Sequence, residues 1–265
     1  MPFTASHIAA VVPLMSSTPR RYLDPWALAF GSMAPDLPLF LPGGVADYHT
    51  WHSPLGIACY TAPAAVAMLA LFQVFFRDPL TALLPPRLGG KVGALPAPRW
   101  RRLPAIAAGA LVGGATHVFW DSFTHSWGAR FWDSDLLGAQ LVGRLTVYRL
   151  LQYGSTAAGL AVLIWMVLPG RTWMAPRVTA TVTATATDER PALPSWVRHG
   201  MWALTVAAGL LTGVIRQHVI LGPYPPGWPE VLAEIGKGGV VGCFVALTAY
   251  AAVWHGGRMV TAAKW

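Results

Sequence analysis

Charge is what this sequence lacks most. Of 265 residues only 11% are Asp, Glu, Lys or Arg, while 54% are hydrophobic; a soluble domain usually carries about 25% charged residues. Too little polar coating remains to keep a fold of this size in water, which excludes an ordinary soluble domain, and disorder, collagen and coiled coil are excluded with it. Cysteine is almost missing as well. Cys59 and Cys243 each fall within an apolar run, so neither a disulfide framework nor a thiolate metal site is readable. Also lacking is a basic start followed by a clean apolar stretch and a small-residue cleavage site, so no removed signal peptide is expected.

What is present fits lipid as the solvent. Mean hydropathy is +0.47, and thirteen Trp, seven Tyr and ten Phe suit the boundary between acyl chains and headgroups. The net charge of +8 would also suit a nucleic-acid binder. Position argues against that, because Lys and Arg gather in the connections between apolar stretches, as in membrane proteins. The expected partners are therefore membrane lipid or an apolar small molecule, and no nucleic acid.

Five stretches, 54–76, 103–123, 155–169, 199–220 and 238–256, are apolar enough to cross a hydrocarbon core, which takes roughly 17 to 25 helical residues. Ser53 and Pro54 supply an N-cap and a first helical residue for the first of them. Lys and Arg number twelve in 77–102, 170–198 and the C-terminus against four in 124–154 and 221–237. The positive-inside rule then puts the first group in the cytoplasm, and the start of the first span and the end of the second outside. Residues 1–53, broken by Pro13, Pro19, Pro25, Pro35, Pro38 and Pro42, read as short interfacial or re-entrant helices and not as a full span across 22–41. The run 178–187 alternates like a strand, but low complexity and flanking prolines make it part of a flexible cytoplasmic linker over 171–197. The expected fold is all-α: one polytopic transmembrane helical bundle over 1–265, with two further transmembrane helices in 198–257.

An ionisable group in or beside a bilayer is a functional hypothesis by default. His117 and Asp121 stand one helical turn apart at the end of the second span, with His125 one turn further if the helix persists. Such a pair can share a divalent metal, Zn²⁺ first for nitrogen and oxygen ligands, or can be a buried His–Asp hydrogen bond. His49 and His52 precede the first span at the same expected depth. Asp36, between Pro35 and Pro38, is a lone carboxylate on stiffened backbone, otherwise an N-cap or turn residue. His7 lies in the apolar N-terminal stretch. Tyr148, Arg149 and Gln152 at the third span, and Arg216 at the fourth, offer donors to an anionic substrate, or simply snorkel to the interface. His199 and His255 fall at the opposite boundary.

The segments MPFTASHIAAVVPL, GSMAPDLPLF, HTWHSPLG, HVFWDSFTH and VYRLLQYGS, in this order over 1–155, resemble the bacterial integral membrane family called domain of unknown function 4184. The series of His, Pro-Asp, His-Ser and then His with Asp four residues on is similar to the membrane-bound metal-dependent hydrolases, and through them to zinc-dependent phospholipase C. That resemblance implies His7, Asp36, His52, His117 and Asp121 as ligands of one or two divalent ions. It also implies a catalytic set of Asp36, His52, His117, Asp121 and His125. The hydrolases usually carry a basic residue near their His-Ser motif, where this chain has Trp51. The leading expectation is a metal-dependent hydrolase of a lipid or lipid-linked phosphoester, multi-pass in the bacterial cytoplasmic membrane, with its site near the extracytoplasmic face. An isomerase or cyclase using the same groups for acid–base chemistry is the second reading, and a transport or structural membrane protein the third.

Overall fold

Prolines break the N-terminal region into short pieces. The computed structural model describes residues 3–18, 20–41, 48–167, 193–223 and 227–262. A 3₁₀ turn, Thr4–His7, leads into α1, Ile8–Ser17, followed by α2, Pro25–Gly31, a second 3₁₀ segment, Ala34–Phe40, and α3, Tyr48–Trp51. Asp24 starts α2 by accepting from the backbone N–H groups of Trp26 at 3.0 Å and Ala27 at 3.1 Å, with Pro25 preset for the first turn. No helix crosses 22–41, as expected, because α2 ends at Ser32 and the prolines beyond it support only the tighter 3₁₀ winding.

The helix α4, Pro54–Leu83, begins where the sequence signals it: the Ser53 hydroxyl accepts from the Gly56 N–H at 3.0 Å. It runs past the expected end at 76 and includes two π-helical stretches, Ile57–Thr61 and Phe72–Phe76. After α5, Pro86–Gly93, comes α6, Leu103–Thr124, which matches the expected second span. The chain then forms α7, Ser126–Phe131, α8, Asp135–Gly138, a two-stranded antiparallel hairpin of β1, Gln140–Val142, and β2, Leu145–Thr146, and α9, Val147–Val167. Two long helices follow, α10, Ser195–Leu221, and α11, Trp228–Ala262. The all-α expectation holds, with that hairpin as its β exception among the described residues.

Among the described residues, four helices are long and apolar enough to cross a membrane: Pro54–Leu83, Leu103–Thr124, Ser195–Leu221 and Trp228–Arg258. An all-α bundle of about five spans fits this set. The third stretch, 155–169, lies in α9, and its last two residues fall outside the described ones. The last crossing helix begins ten residues earlier than the apolar run at 238 indicates. Residues 171–192 of the expected linker lie outside the described residues.

The chain divides into two compact units, Met1–Ala70 with Pro96–Ala180, and Leu71–Leu95 with Thr181–Trp265. In the first, Ala27, Ala34, Ala62, Ala65, Leu69, Ile106 and Ala110 form a core of mostly small side chains. Small residues let helix backbones approach, which drives association where lipid removes the hydrophobic incentive. The approach of α2 to α6 is extreme: a Cβ on Gly113 would fall 2.4 Å from the Leu28 carbonyl oxygen, and one on Gly31 2.4 Å from that of Ala110. In the second unit, α10 and α11 meet the same way, with a Cβ on Gly242 falling 2.4 Å from the Ala208 carbonyl oxygen. There the Trp202 indole donates to the Leu83 carbonyl at 3.2 Å and the Tyr250 hydroxyl to that of Pro79 at 3.2 Å.

Candidate metal centre

The glycine contact between α2 and α6 sets the first ligand. It brings the carbonyl of Ser32, at the end of α2, against His117 on α6, and the His117 Nδ1–H donates to it at 2.7 Å. A carbonyl only accepts, so that bond fixes the proton on Nδ1 and leaves the Nε2 lone pair free, the device by which metal-binding histidines are commonly oriented. His52 is held in the same way. Its Nδ1–H donates to the Tyr48 carbonyl one turn earlier at 2.8 Å, again freeing Nε2.

Both free nitrogens face the same two carboxylates. His117 Nε2 stands 3.4 Å from Asp121 Oδ2 and 3.6 Å from Asp36 Oδ1; His52 Nε2 stands 3.7 Å and 3.8 Å from the same oxygens. These are long for hydrogen bonds, whose N–H···O separation is typically 2.7 to 3.2 Å. They do fit the edges of a tetrahedron: ligands about 2.1 Å from a central ion lie about 3.4 Å from one another. Asp36, His52, His117 and Asp121 each offer an atom within 4.8 Å of all the others, a grouping able to hold a metal ion. The Nε2 atoms of His52 and His117 and Oδ1 of Asp36 are buried without a hydrogen-bond partner. Asp36 and Asp121 are each 1% exposed. Among the described residues neither pairs with Lys or Arg, so two buried carboxylates lack a fixed cation.

Two hydroxyls from outside the cluster hold its carboxylates. The Thr4 hydroxyl donates to Asp36 Oδ2 at 2.7 Å, and the Tyr48 hydroxyl donates to Asp121 Oδ2 at 3.3 Å. Burial and the neighbouring Asp121 and Asp36 carboxylates push the Tyr48 phenol well above its ordinary pKa, so it stays a donor. Burial, with His117 adding to it, depresses His7 to about 3 and His52 to about 4, which keeps both imidazoles neutral and able to ligate at pH 7.

The structure thus brings together His7, Asp36, His52, His117 and Asp121 from four segments. His7 Nε2 lies 3.5 Å from Asp121 Oδ1, and its ring stacks on His117 at 3.8 Å. The helix does not persist to His125: α6 ends at Thr124 and His125 is extended. Its ring nevertheless returns to the cluster, Nδ1 lying 3.6 Å from Asp121 Oδ1 and 3.1 Å from the Asp121 carbonyl. His49 is exposed, in edge contact with Tyr48. Of the expected substrate-binding residues, Gln152 is buried, Tyr148 is half-buried, and Arg149 donates to the Arg144 carbonyl at 3.2 Å. Arg216 belongs to the second unit, where its Nε donates to Glu234 at 2.9 Å. Thr4, Ser32 and Tyr48 escaped the sequence reading. The available signal was spacing, Thr4 three residues before His7 and Tyr48 four before His52; Ser32 acts through its backbone and leaves no side-chain signal.

Among known families, the one described as Domain of unknown function (DUF4184) matches residues 1–252, well beyond the 155 residues whose motifs carry the resemblance. No curated protein and no solved structure matches the chain.

Proposed function

The chain belongs to the DUF4184 family, whose description carries no activity, and we propose from the site itself that it is a membrane-embedded metal-dependent hydrolase. Its substrate is a lipid or lipid-linked phosphoester, taken at the extracytoplasmic face of a bacterial cytoplasmic membrane. The observation that carries the reading is the buried set of Asp36, His52, His117 and Asp121, spaced as tetrahedron edges with its ligand nitrogens unpartnered. Two imidazoles and two carboxylates suit Zn²⁺. The four helices able to cross a membrane support a lipid substrate.

When bound, a divalent ion supplies Lewis acidity and lowers the pKa of water toward about 7. The chain's own groups do the rest. Asp36, His52, His117 and Asp121 hold the ion; Thr4, Ser32 and Tyr48 fix the orientation of those ligands. His125 is the proton carrier. Burial lowers its pKa, so it is neutral at pH 7, its Nδ1 is occupied by the Asp121 carbonyl, and its Nε2 has no partner and can take a proton.

The test is elemental analysis of the purified protein, followed by turnover of a phospholipid and isoprenoid-phosphate panel before and after chelation. The expected result is stoichiometric metal and hydrolysis that chelation abolishes and Zn²⁺ restores. A metal-free protein with full activity would reject the reading in favour of acid–base isomerase or cyclase chemistry on the same His and Asp residues. His199→Ala serves as the control that leaves metal and activity unchanged.

A further inference from the structure

Arginines gather at the end of α6 remote from the metal centre, and the fold adds two that sequence order alone does not place there. Arg99, Arg101 and Arg102 immediately precede α6. Arg20 and Arg21 belong to the turn between α1 and α2. Three bonds carry that turn to the same place. The Asp24 N–H donates to the Ala105 carbonyl at 3.0 Å, while the Trp26 indole and Arg20 Nη2 donate to the Pro96 carbonyl at 2.9 Å and 3.4 Å. The helices α1 and α2 are therefore re-entrant: His7 before α1 and Ser32 after α2 stand at the metal centre, and the turn between them stands at the far end. Residues 103 and 121 of one α-helix lie about 27 Å apart at a rise of about 1.5 Å per residue, so the arginine cluster is a separate site.

Acidic groups do not balance it. Asp24 is already engaged, with Oδ1 accepting from the N–H groups of Trp26 and Ala27 and Oδ2 lying 4.0 Å from Arg20. Among the described residues, Arg21, Arg99, Arg101 and Arg102 form no ion pair. All four are exposed, and the first turn of α6 carries no acidic residue. Arg20 stands close enough to Arg99 to feel its charge: burial lowers the Arg20 pKa from its ordinary value, Asp24 opposes that, and Arg99 adds to it. Cations held together in this way repel one another until an anion joins them. Around them, the Arg21 guanidinium lies over the Tyr22 ring at 4.7 Å, and Tyr22, Trp100 and Leu103 are exposed, as side chains at a headgroup boundary are.

We infer that this end of the first unit binds an anionic phospholipid, with the headgroup phosphate among Arg20, Arg21, Arg99, Arg101 and Arg102. Every cation of the cluster is Arg, whose planar fork matches phosphate oxygens in pairs where Lys offers a point charge. A lipid fits better than a soluble anion or a nucleic acid, because the cluster adjoins a helix able to cross a membrane and has exposed apolar and aromatic side chains beside its charges. Bound there, the lipid ties the turn between α1 and α2 to the start of α6.

The experiment uses the full chain as purified in detergent, and it reads lipid binding alone, so its outcome is independent of the hydrolase proposal. Dioleoylphosphatidylglycerol and dioleoylphosphatidylcholine are titrated separately, with bound lipid counted by native mass spectrometry. The expected result is a preference of at least about 10-fold for the anionic lipid, reduced by added salt. Hydrogen–deuterium exchange of the parent protein should show phosphatidylglycerol protecting residues 20–24 and 99–103, a measurement that needs no variant to fold. Arg99→Gln, Arg101→Gln and Arg102→Gln combined, with folding checked by size-exclusion profile, should lose the preference, since each Arg near an anionic surface contributes about five-fold. Arg87→Gln, Arg130→Gln and Arg144→Gln combined remove the same charge elsewhere and should keep it. Equal binding of the two lipids by the parent protein, protection confined to other segments, a preference retained by the first triple variant, or one lost equally by the second overturns the inference. Inorganic phosphate or a single-stranded oligonucleotide that protects residues 20–24 and 99–103 as strongly as phosphatidylglycerol also overturns it, since the cluster would then serve a soluble anion.

Discussion

Two clusters of charged and polar groups among the described residues of this apolar chain, one buried and one half-buried, are built on opposite principles. In the second unit, Glu234 on α11 accepts from Arg216 of α10 at 2.9 Å and from Lys237 one turn along its own helix. That carboxylate is closed: each oxygen has a cationic donor at hydrogen-bond distance, and nothing is left to bind. In the first unit, Asp36 and Asp121 are surrounded by His7, His52, His117 and His125 at 3.4 to 3.8 Å, and five ring nitrogens have no partner. The same kinds of group thus make a structural tie where donors match acceptors, and a ligand site where lone pairs face lone pairs. Charge alone does not distinguish the two; the matching of hydrogens does.

The largest effect that would break this contrast is removal of a ligand. Asp121→Ala and His117→Ala should each weaken metal binding by at least about 100-fold, since even outer-shell changes cost 10- to 100-fold, and abolish hydrolysis. Competition with a chromophoric chelator measures it. Unchanged affinity in a folded variant would mean that the cluster is as structural as the one around Glu234.

Packing comes next, because the site depends on how closely α2 approaches α6. Gly113→Ala puts a methyl 2.4 Å from the Leu28 carbonyl oxygen, and overpacking of this kind costs about 1 to 3 kcal/mol. It should also move Ser32 away from His117 and lower metal affinity, both readable by thermal unfolding and chelator competition. Glu234→Gln sharpens the comparison from the other side. Replacing the charged acceptor should cost about 1 to 3 kcal/mol while leaving metal content at the parent level, and loss of metal would show that the second cluster is not merely a tie.

The effect of pH should separate apo from loaded protein. His7 and His52 are depressed to about 3 and about 4 from 6.5, so the unfolded chain binds protons below pH 6.5 that the folded chain refuses. Stability of the apo protein is therefore undiminished by these groups above 6.5 and falls as pH drops toward 4. Metal should leave over the same window, since protons compete for the ligand nitrogens. A melting temperature of the apo protein that is flat from pH 7 to 4 would contradict this. The smallest expected effect is Thr4→Val, which removes the donor to Asp36 Oδ2 and should lower metal affinity by about 10-fold.

Much of this was open to reading from one sequence. The i, i+4 spacing of His117 and Asp121 predicts a shared helix face, and α6 supplies it. Ser53 and Pro54 announce the start of α4, and the prolines of the first fifty residues announce short pieces. The reading stopped short where a residue's partner lies on a distant segment. Arg216 had the right depth for a substrate donor, but its partner Glu234 lies across a helix hairpin that periodicity cannot pair.

By itself, then, the sequence determined the solvent, the helical class and the residue types able to hold a metal, because hydropathy and helical spacing act over a few turns of chain. Only the tertiary structure decided that Asp36, on a 3₁₀ segment, faces His52 and His117, that backbone carbonyls of Ser32 and Tyr48 orient those rings, and that His7 stacks above a different oxygen of Asp121. These contacts join groups up to 114 residues apart. They exist because glycines at the meeting of α2 and α6 let two backbones come closer than any side chain allows, and no local pattern encodes which turn of one helix will meet which turn of the other.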